Sequence, residues 1–510
     1  MKSIKILIST ALVLSAVGCT KLDETLQGDL TGAQVGTGGG GNNAALLRGV
    51  YNSMRNSYQG QERVFALGEL PGDAAIVPTR GGDWDDNGAW RVLHAHAWDA
   101  ENQYIRNAYN DLSGTLFAAT DFLQFNPTPQ QAAEARFLRA FTMFDILDGW
   151  DQVAYREPGE NTLQASKVRK GTEALDFIIA ELTAVMGALP VKGPIGANQD
   201  AAKMLLMKCY LNRGVFANRA APTFAPADMT QVITLADQII NSNRYTLATN
   251  YFDNFAPTNG TIGTENIFTA ENVGGVESGG LNSRWHMTMH YNQNPGGWNG
   301  FTTLSDFYDK FTANDQRRGV AYPTPGVPNP GNRINVGFMV GQQYNWTTDA
   351  PLKDRTGAPL VFTREVNSVE TGNNLEITGI RVNKYPIDYP NDGSGRVDND
   401  YVYFRISDVM LMKAEALLRT NAAATALPIV NTIRTKRGVT PLASLTLDNL
   451  LDERGRELYW ENYRRQDLIR FGKYLQPWQG KPADDPKYLL FTIPNEQLAV
   501  NPNLTQNPGY

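Results

Sequence analysis

The chain has 510 residues, of which 46 are Lys or Arg, 52 are Asp or Glu, and 10% are aromatic. Charged residues make up only 19%, so the chain is globular rather than intrinsically disordered, and its length allows roughly two to four domains. An acidic balance without a basic block excludes nucleic acid as a partner and disfavours adsorption to anionic lipid.

Lys2 and Lys5 precede an apolar run, Ile6 to Val17, that is too short to span a bilayer. It ends in Ala16-Val17-Gly18-Cys19, small residues before a cysteine, which is the pattern of a bacterial lipoprotein leader. Residues 1–18 are therefore expected to be removed and Cys19 lipidated, with 19–43 as a tether. Without Lys2 and Lys5 the balance is 44 basic against 52 acidic residues. No later apolar run reaches eighteen residues, so the body is expected to hang from its anchor. Gly36-x-Gly38-x-x-Gly41 matches a dinucleotide fingerprint by letter only, because no strand precedes it. Cys209, among Leu205, Leu206 and Tyr210, reads as a buried thiol.

From 44 to 245 the apolar residues recur at helical spacing. Leu46, Leu47, Val50, Tyr51 and Met54 form one stripe; Ile105, Ala108, Leu112, Leu116, Ala119 and Leu123 form a longer one. Thr128-Pro129-x-Gln131 predicts a capping box opening a helix with Phe137, Phe141, Phe144 and Leu147 inward. Further helices are expected around Leu175 to Leu189, from Gln199 to Phe216 and from Asp228 to Asn243. Paired helices of this size with short links predict stacked helical hairpins. From 246 to 401 Gly, Pro and Asn rise and short alternating runs appear, at Arg333 to Phe338, Leu360 to Val366 and Leu375 to Val382, with one helix at Leu304 to Phe311. This reads as a loop-rich mixed α/β insertion. Helices resume at Val402 and continue to the C-terminus.

Residues 402–510 carry the most specific pattern. A helix from Ala424 to Lys436 stops at Gly438, and a second presents Leu447, Leu450, Leu451 and Leu458 inward while carrying Asp452-Glu453-Arg454-Gly455-Arg456-Glu457. Arg464-Arg465-Gln466-Asp467-Leu468-Ile469-Arg470 follows, then Phe491-Thr492-Ile493-Pro494 and Gln506-Asn507-Pro508-Gly509-Tyr510. Signs alternate too closely for a nucleic-acid patch and predict paired, partly buried structural charges. Taken together, from Asn431 to Tyr510, these motifs resemble the C-terminal signature of the SusD/RagB family. Glu134-Ala135-Arg136-Phe137-Leu138-Arg139-Ala140 is similar to a scaffold helix of that family, while Ala154 stands where a proline is usual. The resemblance implies a mostly α, tetratricopeptide-like scaffold with the insertion above. It also implies a non-catalytic outer-membrane lipoprotein that passes a nutrient, an oligosaccharide or alternatively a peptide, to a TonB-dependent SusC-like transporter.

No catalytic constellation is found, and the abundance of carboxylates alone gives a surface glycosidase no support. His94 with His96, and His286 with His290, have ligand-like spacings, but ordinary polar roles are expected of all four and no cofactor or metal is expected. Asp388 to Asp400 reads as a polar turn, with a structural calcium ion as the alternative. The candidate ligand contacts are tryptophans set among polar residues. Asp83, Trp84 and Trp90 lie in one Gly/Asp loop, and Trp285, Tyr291 and Trp298 in a Gly/Asn-rich segment; Trp346 is a third position. Flat aromatic faces stack on the C–H faces of sugar rings while neighbouring Asp, Asn and Arg bond the hydroxyls.

Overall fold

The computed structural model describes residues 41–510, so the leader, Cys19 and residues 20–40 lie outside the described residues. Helix α1 (Gly41–Gln59) begins inside the stretch expected as tether and buries Leu47, Val50 and Met54. Then come α2 (Gln103–Phe122), α3 (Pro129–Trp150), α4 (Gly171–Val185), α5 (Gln199–Ala217) and α6 (Pro226–Ile240). Asn102 caps α2 by accepting the Tyr104 and Ile105 N–H groups. The expected box opens α3: Thr128 Oγ1 accepts the Gln131 N–H at 3.3 Å, and Gln131 Oε1 accepts the Thr128 N–H at 3.0 Å. From α2 to α6 each helix packs on the next, as in a tetratricopeptide-like stack.

The stack then continues across a long interruption. Helix α6 packs on α7 (Ile406–Arg419), which packs on α8 (Ala423–Lys436) and α9 (Leu447–Leu458); α10 (Arg464–Arg470) follows. The strands are short: β1 (Thr79–Arg80), β2 (Gln152–Tyr155), β3 (Lys167–Lys170), β4 (Asn266–Ala270), β5 (Gly319–Val320), β6 (Val336–Met339), β7 (Gly341–Gln342), β8 (Val361–Phe362), β9 (Val369–Glu370), β10 (Arg381–Asn383) and β11 (Tyr401–Arg405). β4 and β11 pair antiparallel and so clip together the two ends of the interrupting segment. Ala154 lies in β2 opposite Val168, its ladder with β3 intact.

Three expectations shift. The helix expected from Val402 starts at Ile406, because Tyr401 to Arg405, buried on both faces, find a strand partner in β4. The helix expected over Leu304 to Phe311 is one turn, Ser305–Tyr308. Of the run Leu375 to Val382, only the end enters β10; Leu375–Ile377 is a tight turn.

The signature charges form buried networks. Glu457 accepts from Arg437 at 2.7 Å, Arg405 at 2.8 Å and Arg317 at 3.0 Å, all four side chains being essentially inaccessible. Glu453 bonds Arg317, Arg434 and Arg456, and Arg405 also reaches Glu265 and Glu461. On the other side of α9, Arg454 bridges Asp408 and Asp467, and Arg470 bridges Glu415 and Asp467. Each charge is thus compensated within the core. The networks join α7 to α10 and, through Glu265, Arg317 and Lys384, the interrupting segment as well. The tail closes on the end of α3: Asn507 Nδ2 donates to the Trp150 and Phe491 carbonyls at 3.1 and 2.7 Å.

Candidate functional site

Two loops meet where the sequence places its tryptophans. The first leaves β1, which pairs parallel with β9, and turns back at once: Arg80 and Asp83 exchange backbone hydrogen bonds of 3.0 and 3.1 Å around Gly81, at φ +66°. Trp84 follows at φ +60°. Its indole N–H donates to the Trp298 carbonyl at 2.8 Å, joining this loop to the second. Its ring lies edge-on to Phe301 and flat enough on Gly300 that a Cβ there would fall 2.4 Å from the indole. Gly300→Ala is therefore expected to displace Trp84 and to cost about 1–3 kcal/mol, read as a lower melting temperature together with altered tryptophan fluorescence.

Trp298 is the exposed ring of the cluster, 41% accessible, and stacks on the His286 imidazole with centroids 5.6 Å apart and planes 24° apart. His286 Nε2 lies 2.8 Å from Asp392 Oδ1 and Nδ1 2.9 Å from the Gly296 carbonyl, so both ring nitrogens face acceptors. Burial opposes the charged form of the ring, but the bond to Asp392 outweighs it and holds the pKa above the ordinary value. The tryptophan thus rests on an imidazole held from both sides, which fixes its plane.

The other end of the face is polar. Tyr291 donates to Asp83 Oδ2 at 2.8 Å, and burial followed by that carboxylate pushes its phenol up to about 12. The Arg355 guanidinium covers the Tyr291 ring at 3.9 Å, ion-pairs with Glu376 and lies 3.5 Å from Asp83. A turn knotted by Asp354, whose Oδ1 accepts the Thr356 and Ala358 N–H groups, holds Arg355 in place. His290 is neutral: Nε2 donates to Glu376 at 2.8 Å while Nδ1 accepts the Asn292 N–H at 3.1 Å, and burial lowers its pKa.

Beneath the face lie two buried arginines that sequence reasoning did not single out. Arg80 Nη1 donates to the Asn299 and Gly300 carbonyls at 2.5 and 2.8 Å, and its Nη2 to Thr378 at 2.7 Å. Arg381 Nη1 donates to Thr378 and Gly379, and Nη2 to Asn299 Oδ1 and Glu376. Both guanidiniums are spent on carbonyls, and together they clamp the 299–300 segment to the 376–379 segment. Burial lowers both pKa values, that of Arg80 to about 10. Arg80 borders the first loop in sequence; Arg355, Glu376 and Arg381 are brought in only by tertiary structure.

The six expected contacts therefore divide. Asp83, Trp84, Tyr291 and Trp298 converge on one accessible face. Trp90 and Trp285 are buried behind it. Trp90 stacks on Tyr104 at 3.7 Å and donates to Asp86, while Trp285 donates to Asp392. Neither indole meets solvent, because each has found an aromatic or carboxylate partner inside. Trp346 is buried too. His94 and His96 have structural roles: His94 bonds the Gln479 carbonyl, and burial lowers its pKa to about 4, while His96 spans the Pro71 carbonyl and Asp484. In the Asp388–Asp400 stretch, Asp388 accepts the Asp398 N–H, Asp398 that of Gly274 and Asp400 that of Asn272, so each of these carboxylates is engaged by the backbone. Among the described residues no three His, Cys, Asp or Glu side chains converge as a metal would need. Cys209 is buried, and burial pushes its thiol pKa up.

A stacked helical scaffold carrying a loop-built aromatic and polar face is the class of protein these features define. The SusD family model matches residues 234–489, half of the chain, and the chain belongs to that family. It is 26% identical over 497 residues to the starch-binding protein SusD of Bacteroides thetaiotaomicron, covering 88% of this chain and 85% of that one. A SusD-like protein of Formosa agariphila is 24% identical, over 75% of this chain and 74% of its own. Among solved structures, a SusD superfamily protein from Parabacteroides distasonis superposes with a TM-score of 0.72 at 18% identity, covering 92% of this chain and 99% of that one. Surface glycan-binding protein A from Bacteroides thetaiotaomicron, in complex with laminarihexaose, gives 0.67 at 16% identity, covering 91% and 99%.

Proposed function

We propose that this protein is a cell-surface lipoprotein, anchored through Cys19 to the outer membrane, that captures an oligosaccharide and delivers it to a TonB-dependent SusC-like transporter without cleaving it. The observation that carries the reading is the exposed Trp298 ring, stacked on His286 and joined through Trp84 to the Asp83–Tyr291–Arg355 cluster. An accessible indole supplies a stacking platform, and the carboxylate, phenol and guanidinium beside it supply donors and acceptors for sugar hydroxyls. The names of the starch- and laminarihexaose-binding relatives point the same way. Glu376 is unsuited to act as a general acid. Burial alone raises its pKa, but Arg355 and His290 overcome that and hold it below the ordinary value, whereas glycoside hydrolysis needs a carboxyl that keeps its proton.

The test is calorimetric titration with maltoheptaose and laminarihexaose. Trp298→Ala is expected to weaken binding of the cognate glycan by about 2 kcal/mol, roughly thirtyfold, with the melting temperature unchanged. Unaltered affinity in that variant, binding of peptides in place of glycans, or hydrolysis of the labelled hexaose would each overturn the reading.

A further inference from the structure

A concavity of about 460 Å³ lies beside β6 and β7 and the turn at 329–333. Its walls include the aromatic rings of Tyr308, Phe338, Tyr344 and Trp346 and two arginines, Arg318 and Arg333, but no Asp or Glu. Arg333 is accounted for: Asp349, outside the wall, holds it at 2.7 Å, and it covers the Tyr344 ring at 3.6 Å. Arg318 has no carboxylate partner among the described residues. Its Nε and Nη2 both donate to the Tyr308 hydroxyl, the former at 2.9 Å, and Nη1 has no hydrogen bond among the described residues. A half-buried guanidinium with a free edge favours an anionic acceptor, and guanidinium bonds to oxyanions are among the stronger and more directional ones.

The surroundings suit a sugar that carries that anion. Gln342 spends both amide protons on the Gln343 and Leu352 carbonyls, leaving Oε1 without a partner among the described residues. Asn332, exposed at φ +48°, offers a free amide on a turn that Asn329 holds by bonding the Arg333 N–H and carbonyl at 2.9 and 2.8 Å. The wall is also linked to the aromatic face. Gln343 lies 3.5 Å from Gln293, whose Oε1 accepts the His290 N–H. We propose that this concavity is a second binding site, in which Arg318 takes the carboxylate or sulfate of an acidic sugar residue. The sugar part of this assignment rests on the capture reading above; the anionic part rests on Arg318 alone.

The test compares glucuronic acid, its methyl ester and glucose 6-sulfate by NMR titration of the purified protein. At least one anion is expected to bind about tenfold or more tightly than the neutral ester, the difference one charge-assisted hydrogen bond supplies, and which anion does so tells carboxylate from sulfate. Arg318→Gln should erase the discrimination and Arg318→Lys should keep part of it. Trp298→Ala, which removes the neutral-glycan platform, should leave it intact. Ala313→Trp, on the exposed rim of the concavity, should occlude the site and erase discrimination without touching the arginine. Equal affinity for anion and ester, or discrimination that survives Arg318→Gln or Ala313→Trp, overturns the proposal. Discrimination lost in Trp298→Ala alone places the anion on the aromatic face and overturns it as well. Failure of every neutral glycan to bind would instead strike the capture reading and leave the Arg318 comparison readable.

Discussion

Glu457→Gln is expected to destabilise the protein by about 3–5 kcal/mol, because it leaves three buried guanidiniums without the carboxylate they share. Arg317 and Arg405 keep other acids, Glu453 and Glu461 among them, and Arg437 keeps Glu265, but none of these replaces the central charge. The carboxamide can still accept from one of the three, yet its N–H₂ would face donors. Urea denaturation checks this, with Asp309→Asn as the control. The Arg364–Asp309 pair is about half exposed on both sides, and its loss should cost about 1 kcal/mol or less. A Glu457→Gln midpoint close to that of the control would mean that the network contributes little beyond its packing. Because Glu457 meets Arg317 of the interrupting segment as well as Arg405 and Arg437 of the returning chain, a loss confined to α9 is not expected; the whole molecule should unfold earlier.

This network also shows what the sequence made legible. Asp452 to Glu457 and Arg464 to Arg470 combine helical apolar spacing with dense alternating charge, and a short-range pattern of that kind can be met only by pairing inside a core. Helices α2 to α6 were readable for the same local reason, and the Thr128–Gln131 box located the start of α3 to the residue. The aromatic face was half legible. A loop of Gly, Asp and Trp announces that something is displayed, but not which ring. Trp84 and Trp90 are six residues apart in the same composition, and only the arrival of Tyr104 from α2 sends Trp90 inside. Arg355, Glu376 and Arg381 carry no local signal, since their roles arise when segments 82 to 272 residues apart close on one another. Strand β11 failed for a related reason. Its pairing with β4 lies about 130 residues away, and five buried residues in a row read equally well as the first turn of the helix that follows.

Acid and base should unfold the protein by opposite routes, with greatest stability at about pH 4–5. Glu453 and Asp467 are desolvated, but their arginine partners more than compensate and hold both near 2 in the folded state. Carboxylates lowered in this way contribute stability that is fully present above their unfolded values, about 4.5 and 3.8, and is lost as pH falls toward 2. Together they amount to several kcal/mol, at about 1.4 kcal/mol per pKa unit. Glu69 and Asp145 run the other way. Burial raises Glu69 to about 8 against the single N–H that Asn462 gives it, and raises Asp145 to about 7 despite its bond from Tyr58. Both are protonated in the folded protein at low pH, so what they contribute is present below their unfolded values and disappears as pH rises through 7 and 8. His94, lowered by burial to about 4, offsets part of that loss, since its neutral form regains stability as pH climbs from 4 to 6.5. Melting temperature measured from pH 2 to 9 should therefore trace a dome. Glu69→Gln should flatten its alkaline side only, because an amide there keeps the acceptor for Asn462 without ever taking a charge. A dome whose alkaline limb is unchanged in that variant would show that Glu69 is ionised in the folded protein, with Lys384 and Arg284 rather than a proton balancing it.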